Sequence, residues 1–126
     1  MAVAVLTGVG WVVQIVVYPA FALVGGAEWA AYHRRHGSAI AVVVLLPWLV
    51  QGVSTAALLL EGLTPASVAL AVLALATVVL TVAAAVPAHG LLSATQDPGT
   101  LRCLLRANLL RTLCWTASTL LAALTL

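Results

Sequence analysis

The chain has 126 residues, 64% of them hydrophobic and 6% charged, and its formal net charge at pH 7 is +2. Soluble domains typically contain about 25% charged residues, so this composition excludes an ordinary soluble domain, and it also excludes a disordered chain. Five basic residues are too few to neutralise a series of phosphates, so the expected partner is the lipid bilayer and not a nucleic acid.

The apolar stretches predict an all-α fold, a four-helix transmembrane bundle with up-down-up-down topology. A bilayer core of about 30 Å requires roughly 20 apolar residues per helix, and open sheet edges are not tolerated in lipid. Four stretches meet this length, which makes residues 1–126 a single integral membrane domain. The predicted spans are residues 2–24, 38–60, 65–86 and 104–126.

The breaks between these stretches carry the glycine and proline residues expected of turns. They lie at residues 25–37, 61–65 and 96–100. Thr64 followed by Pro65 predicts a helix cap and a first helical residue. Residues 28–33 contain no helix breaker, so they either continue the second helix or form a short interfacial helix before it.

The arginines predict the orientation in the membrane. Arg34 and Arg35 lie in the first connection, and Arg102 and Arg106 lie beside the third. Cytoplasmic loops carry an excess of basic residues, so connections one and three are expected in the cytoplasm. The protein is therefore expected to be integral to the cytoplasmic (inner) membrane, with both termini on its outer side.

Polar residues inside the spans follow helical phase and predict a common pocket. Such residues usually face the bundle interior or a cavity. Pro19 and Pro87 are expected to kink or interrupt the first and third helices. The predicted inward stripes are Thr7, Trp11, Gln14 and Tyr18; His33, His36, Pro47, Gln51 and Ser54; Thr77, Thr81 and His89; and Asn108, Arg111, Thr112, Trp115 and Thr119.

Arg111 is the one arginine predicted to point inward within a span, and a buried guanidinium needs partners. The candidates are Gln14, Gln51, Tyr18 and an anion of a ligand. Because the histidines also lie on the cytoplasmic side, we expect the pocket in that half of the membrane. Cys103 and Cys114 point away from this stripe and are expected to be packing residues.

These motifs together resemble a family of small bacterial four-helix integral membrane proteins that is uncharacterised. The resemblance covers nearly the whole chain. It lies in Val13-Gln14 with Tyr18-Pro19 and Phe21, in Tyr32-His33 with His36, in Pro47, in Pro87 with His89, and in Asn108 with Arg111-Thr112 and Trp115.

The chain departs from the resembled pattern at three positions. The family is expected to carry Glu where this chain has Gln51, Trp where it has Leu109 and Arg where it has Ser118. If a Glu–Arg pair works in the family, the resemblance implies that this member has lost both partners together, with either altered chemistry or the loss of a structural ion pair.

A metal site is one chemical hypothesis for the histidines. His33 and His36 lie three residues apart on one helical face, and His89 could add a third imidazole. Three imidazoles suit Cu, Fe or Zn and leave positions for water or substrate, as in a metal-dependent oxygenase. The alternative is that interfacial histidines line headgroups or cap helix ends.

Acid–base catalysis on a lipophilic substrate is the leading hypothesis, as in a membrane-embedded isomerase or cyclase. His33, His36 and His89 would transfer protons to and from an isoprenoid, a polyketide or a quinone-like molecule. The expected substrate-binding residues are Gln14, Tyr18, Tyr32, Gln51, Asn108, Arg111 and Trp115.

Two functions without catalysis stay open on the sequence alone. The chain could be a binding or assembly subunit of the membrane, with its amides bonded between helices. It could also be a small-molecule transporter, which with only four spans would have to act as a homo-oligomer. No span contains a carboxylate, and this argues against a proton-coupled exporter.

Overall fold

The structure, a computed structural model, describes residues 1–125 and contains four helices in this part of the chain. The helices are α1 (Ala2–Phe21), α2 (Gly26–Glu61), α3 (Pro65–Ala94) and α4 (Pro98–Thr125). No strand occurs between residues 1 and 125. The predicted all-α class and the four helices are therefore confirmed.

At the end of the bundle that contains the histidines, α2, α3 and α4 extend beyond the predicted spans, whereas α1 ends at Phe21, three residues before the predicted end at residue 24. α2 begins at Gly26, twelve residues before the predicted span at Ser38, so residues 28–33 continue that helix. α3 continues past Pro87 to Ala94, and α4 begins at Pro98. With about 1.5 Å of rise per residue, the 36 residues of α2 are longer than a bilayer core is thick.

Two wide helical turns explain why the prolines do not end their helices. α1 has a π-helical turn at Val13–Val17, just before Pro19, and α3 has one at Thr81–Ala85, just before Pro87. Proline lacks an N–H and its ring collides with the carbonyl four residues back, and a wider turn at that carbonyl relieves the collision. Both turns border the histidines and so shape the space around them.

Side-chain caps begin α3 and α4. The backbone N–H of Ser67 donates to Thr64 Oγ1 at 3.1 Å, and the backbone N–H of Thr64 donates to Ser67 Oγ at 2.9 Å, so the predicted cap at Thr64 is confirmed. Before α4, Asp97 accepts from the Thr100 backbone N–H at 2.6 Å and from its hydroxyl at 2.8 Å. These hydrogen bonds lower the pKa of the Asp97 carboxyl.

Each helix packs against the next one in the chain, and α4 packs back against α1. The connections at the histidine end are tied together. The Gln96 side chain donates to the carbonyls of Phe21 and Val24, and Trp29 Nε1 donates to the Leu92 carbonyl at 2.7 Å. An aromatic and aliphatic core that includes Phe21, Trp29 and Leu92 fills this end.

Three helices of the described chain, α1, α2 and α3, are long and apolar enough to cross a membrane by length and composition. α4 falls outside this group, which the sequence reasoning did not anticipate. Its buried side chains include the polar Asn108, Thr112 and Ser118, and it also carries Arg111. Its exposed side chains include Leu110, Leu113, Leu120 and Leu124.

The close contact of α1 with α4 at Gly10 gives a test of the packing. A Cβ on Gly10 would lie 2.5 Å from Thr112 Oγ1 and 3.1 Å from its Cγ2, and a β-branched side chain cannot rotate away easily. We expect Gly10→Ala to lower the free energy of unfolding in detergent by about 1–3 kcal/mol.

Gly8→Ala is the matched control, because nothing lies within 4 Å of a Cβ built on Gly8. It should leave stability unchanged or raise it by up to about 1 kcal/mol. Adding Thr112→Ala to Gly10→Ala should recover stability. Equal effects of the two glycine substitutions would contradict this packing.

Candidate functional site

The polar stripes of α1 and α4 face each other across one interface. Thr7 and Thr119 share a hydrogen bond of 2.9 Å between their hydroxyls, and Trp11 Nε1 donates to Thr116 Oγ1 at 3.1 Å. Further along, Asn108 Nδ2 donates both to Gln14 Oε1 at 2.9 Å and to the Gly10 carbonyl at 3.2 Å. Thr7, Gln14, Asn108 and Thr119 of the predicted stripes are thus paired across this interface, whereas Thr116 was not predicted and the buried Thr112 hydroxyl has no partner between residues 1 and 125.

Arg111 lies at the meeting point of α3 and α4. Its guanidinium donates to Thr81 Oγ1 at 3.1 Å and to Asn108 Oδ1 at 3.2 Å, and its Cζ lies 5.3 Å from the centre of the Trp115 ring. These partners differ from the predicted Gln14, Gln51 and Tyr18, because the two glutamines are engaged elsewhere. The Nε atom is buried and has no hydrogen-bond partner between residues 1 and 125.

Tyr18, two histidines and Ser93 form a continuous hydrogen-bonded chain. Tyr18 Oη lies 3.1 Å from His89 Nε2, and His89 Nδ1 lies 3.1 Å from His33 Nε2. His33 Nδ1 lies 3.4 Å from Ser93 Oγ, whose hydroxyl donates to the His89 carbonyl at 2.9 Å. The chain therefore runs from α1 through α3 to α2 and back to α3.

The Ser93 hydroxyl fixes the direction of these hydrogen bonds when both rings are neutral. A carbonyl oxygen can only accept, so the Ser93 proton goes to the His89 carbonyl and Ser93 Oγ accepts from His33 Nδ1–H. His33 Nε2 then accepts from His89 Nδ1–H, and His89 Nε2 accepts from the Tyr18 hydroxyl. One arrangement of protons thus satisfies every member of the chain.

His36 lies beside this chain and not within it. Its ring stacks on His89, with centroids 6.1 Å apart, and meets the edge of Phe21 at 4.9 Å. Its Nε2 atom is buried without a hydrogen-bond partner in the described part of the chain. The structure therefore brings all three predicted histidines together, but gives His36 a different environment.

A cavity of about 510 Å³ lies between α2 and α3 and reaches these groups; we call it the histidine cavity. Its polar lining includes Tyr18, His33, His89, Ser93, Thr81 and Arg111, with Arg34 and Ser38 also lining it. Its apolar lining includes Ile40, Ala41, Val44, Trp48, Ala85 and Val86. The arrangement therefore combines an apolar wall with clustered hydrogen-bonding groups, as in sites for small amphiphilic ligands.

Ser93 was missed by the sequence reasoning because the third span was taken to end at residue 86. Ser93 lies four residues after His89, so helical spacing could have placed it on the same face. Trp48 and Arg34 also line the cavity but were not predicted to do so, since their contribution depends on how α2 packs against α3.

The donor arrangement does not match a three-ligand metal centre. Between residues 1 and 125, no group of three histidine, cysteine, aspartate or glutamate side chains is arranged to hold a metal ion. His33 and His89 instead present ring nitrogens to one another. The facing nitrogens of these two rings are thus engaged in a hydrogen bond with each other.

Five predicted substrate-binding residues do not line the histidine cavity. Tyr32 is exposed and packs its edge against Phe21. The other four form hydrogen bonds between helices, Gln14 with Asn108 and Gln51 with Trp115.

A second cavity, of about 240 Å³, lies where the beginning of α1 meets α2, α3 and α4; we call it the terminal cavity. Gln51 and Ser118 both line it, so the two positions predicted to depart together from the resembled family pattern lie at one cavity. Gln51 Oε1 accepts from Trp115 Nε1 at 3.2 Å. Ser118 Oγ is buried and has no partner in the described residues.

Comparison with known proteins returns no significant match to a family model, a curated protein or a solved structure. The predicted resemblance to small bacterial four-helix membrane proteins therefore stays a prediction.

The shared position of Gln51 and Ser118 gives a test by paired charges. An unpaired charge at a buried site typically costs about 3–5 kcal/mol, and an opposite charge beside it offsets part of that cost. We expect Gln51→Glu and Ser118→Arg each to destabilise the fold in detergent, and the double variant to be at least about 1 kcal/mol more stable than the two separate effects predict.

The control pairs Gln51→Glu with Leu120→Arg, because Leu120 lies on the same helix as Ser118 but is exposed. These two effects should add. Strict additivity for Gln51→Glu with Ser118→Arg would contradict the shared cavity.

Proposed function

We propose that the chain is an integral protein of the cytoplasmic membrane with up-down-up-down topology, both termini outside and the histidine end in the cytoplasm. Connections of only a few residues join helices that pack side by side, which supports an antiparallel order. Exposed Arg34, Arg35, Arg102 and Arg106 support the sidedness. α4 would cross as well, with its polar side chains turned into the bundle and its exposed leucines in lipid.

The native Cys103 tests this orientation, because it is exposed near the beginning of α4. An impermeant maleimide should not label it in intact cells but should label it in inverted membrane vesicles. Thr64→Cys, exposed in the connection between α2 and α3, should label from outside once both native cysteines are replaced by serine. The reverse pattern would overturn the proposed sidedness.

Within this membrane protein, we propose a small enzyme that acts on a lipophilic substrate in the histidine cavity by histidine-based acid–base chemistry. The observation that carries the proposal is the convergence of Tyr18, His89 and Arg111 on one cavity with an apolar wall. An amphiphile such as an isoprenoid, polyketide or quinone-like carbonyl compound could enter between α2 and α3 and bring its oxygen to these donors.

Arg111 suits the role of binding the substrate oxygen. Two of its nitrogens are held by Thr81 and Asn108, so the guanidinium is fixed before a ligand arrives. Hydrogen-bond donors preorganised around a developing negative charge stabilise it most effectively. Asn108 acts here as a positioning residue, since it is itself anchored to Gln14 and Gly10.

The reaction best suited to this geometry is the movement of a proton next to a carbonyl group. The Tyr18 hydroxyl would donate its hydrogen bond to the substrate oxygen in place of His89 Nε2. His89 Nε2 would then be free to accept a proton from the substrate carbon next to the carbonyl group. The C–H electron pair forms a C=C bond while the carbonyl oxygen becomes an enolate beside Arg111 and Tyr18. The proton returns at another carbon or at the oxygen, so the substrate is isomerised and no oxidant is needed.

His33 would share the proton held by His89. When His89 Nε2 accepts a proton, the Nδ1 proton of His89 can move to His33 Nε2 across 3.1 Å, and His33 then carries the charge while its Nδ1–H continues to donate to Ser93 Oγ. Proton transfer by a positioned side chain typically contributes 10²–10⁴-fold to a rate. His36, stacked on His89, would limit the movement of that ring.

The second candidate is a non-catalytic membrane subunit that binds the same class of molecule. The observation that favours it is the number of polar groups already bonded between helices, with Gln14, Gln51, Asn108 and Trp115 all paired. Such a subunit would bind a ligand in the histidine cavity without turning it over.

Isotope exchange of a lipophilic ketone separates these functions. We expect the protein in lipid nanodiscs in D₂O to speed deuterium incorporation next to the carbonyl of 2-tetralone, measured by mass spectrometry. His89→Ala should slow this exchange by about 10²-fold or more, because the proton acceptor is lost.

Arg106→Ala is the control, because Arg106 is exposed away from the cavity, and it should exchange like the wild type. Retention of 2-tetralone by the protein, measured after size-exclusion chromatography, is the second readout. Retention with exchange no faster than in empty nanodiscs would overturn the enzyme and favour the binding subunit. No retention would overturn both functions.

A further inference from the structure

The terminal cavity is separate from the histidine cavity and has its own polar groups. The two cavities have no lining residue in common. Val3, Val50, Leu70 and Ala122 form apolar parts of the terminal cavity, while Gln51, Ser54, Thr55 and Ser118 contribute hydrogen-bonding groups. No side chain of Lys, Arg, His, Asp or Glu from the described residues lines it, so its chemistry differs from that of the histidine cavity.

Ser118 and Thr112 differ from the other hydroxyl residues of α4, because both hydroxyls are buried without a partner between residues 1 and 125, and of these two only Ser118 lines the terminal cavity. Thr116, Thr119 and Thr125 each donate to the backbone carbonyl four residues earlier. Ser118 Oγ makes no such bond and is without a partner between residues 1 and 125, although the residue is only 1% exposed. A buried hydroxyl without a partner carries a free-energy cost that an acceptor in the cavity would remove.

Gln51 supplies further donors at the same cavity. Its Oε1 accepts from Trp115 Nε1, which orients the amide, and its Nε2 group has no hydrogen-bond partner in the described chain. An amide NH₂ has two donor hydrogens and a hydroxyl has one. The Gln51 amide and the Ser118 hydroxyl thus offer three donor hydrogens within a largely apolar wall, and the cavity also contains the Ser54 and Thr55 hydroxyls, which can donate or accept.

We propose that the terminal cavity is a second binding site, for an uncharged lipophilic molecule whose carbonyl oxygen accepts hydrogen bonds from the Gln51 amide and the Ser118 hydroxyl. A carboxylate or an ammonium group would lose its hydration there, because no charged side chain of the described residues lines the cavity and the charge at its lining is limited to the α-amino group of Met1. A hydrocarbon would leave the donors unpaired. A neutral ketone or ester meets both requirements.

This site is linked to Arg111 through one side chain. Trp115 donates to Gln51 at the terminal cavity, and its ring lies against the Arg111 guanidinium at the histidine cavity. A ligand that moves the Gln51 amide would therefore disturb the ring beside Arg111. The proposal does not depend on catalysis in the histidine cavity.

Cysteine protection at position 118 tests the site. In a Cys103→Ser, Cys114→Ser background, Ser118→Cys in nanodiscs should react with neutral methyl methanethiosulfonate, and 2-heptanone should slow that reaction. Heptanoate and heptane at equal membrane concentrations should not protect. Adding Gln51→Leu should raise the half-protecting ketone concentration by about five- to tenfold, because about one hydrogen bond is lost.

Leu120→Cys in the same background is the matched control, since Leu120 is exposed on the outer face of α4. It should react with the reagent but gain no protection from 2-heptanone. Absence of reaction at Ser118→Cys while Leu120→Cys reacts would overturn an accessible cavity. Protection by heptane as strong as by 2-heptanone, or no protection by the ketone, would overturn carbonyl recognition and leave a purely apolar or water-filled space.

Discussion

The buried guanidinium of Arg111 is the constraint around which the bundle is arranged. A charge within a membrane-embedded bundle is costly unless hydrogen bonds and an aromatic face surround it. Thr81 from α3 and Asn108 and Trp115 from α4 provide these contacts. Because Asn108 is in turn bonded to α1 through Gln14, one charge fixes the relative rotation of three helices.

The site also depends on an irregular helical backbone just before two prolines. Wide turns at Val13–Val17 and Thr81–Ala85 let α1 and α3 continue past Pro19 and Pro87. Without this continuation, His89 would have no helix to hold it opposite Tyr18 and His33. Wide turns of this kind are frequent at functional sites because they re-aim the side chains that follow them. The hydrogen-bonded chain is thus a product of local backbone geometry as much as of residue type.

Trp115 connects a residue of the terminal cavity with a residue of the histidine cavity, although it lines neither cavity itself. Its indole N–H donates to Gln51, which lines the terminal cavity. The face of its ring lies against the guanidinium of Arg111, which lines the histidine cavity. The two cavities are therefore linked through one ring, although they share no lining residue and differ in their polar groups.

The sequence by itself determined four helices and most of the inward-facing polar residues, because the length of an apolar stretch and the spacing of polar residues within it follow from the order of the residues. It also predicted that Arg111 needs partners, but not that Thr81 and Asn108 are those partners. Only the tertiary structure decided the pairings, the chain from Tyr18 to Ser93 and the common cavity of Gln51 and Ser118. The reason is that a pairing between helices depends on their relative rotation and axial shift, which no single helix encodes.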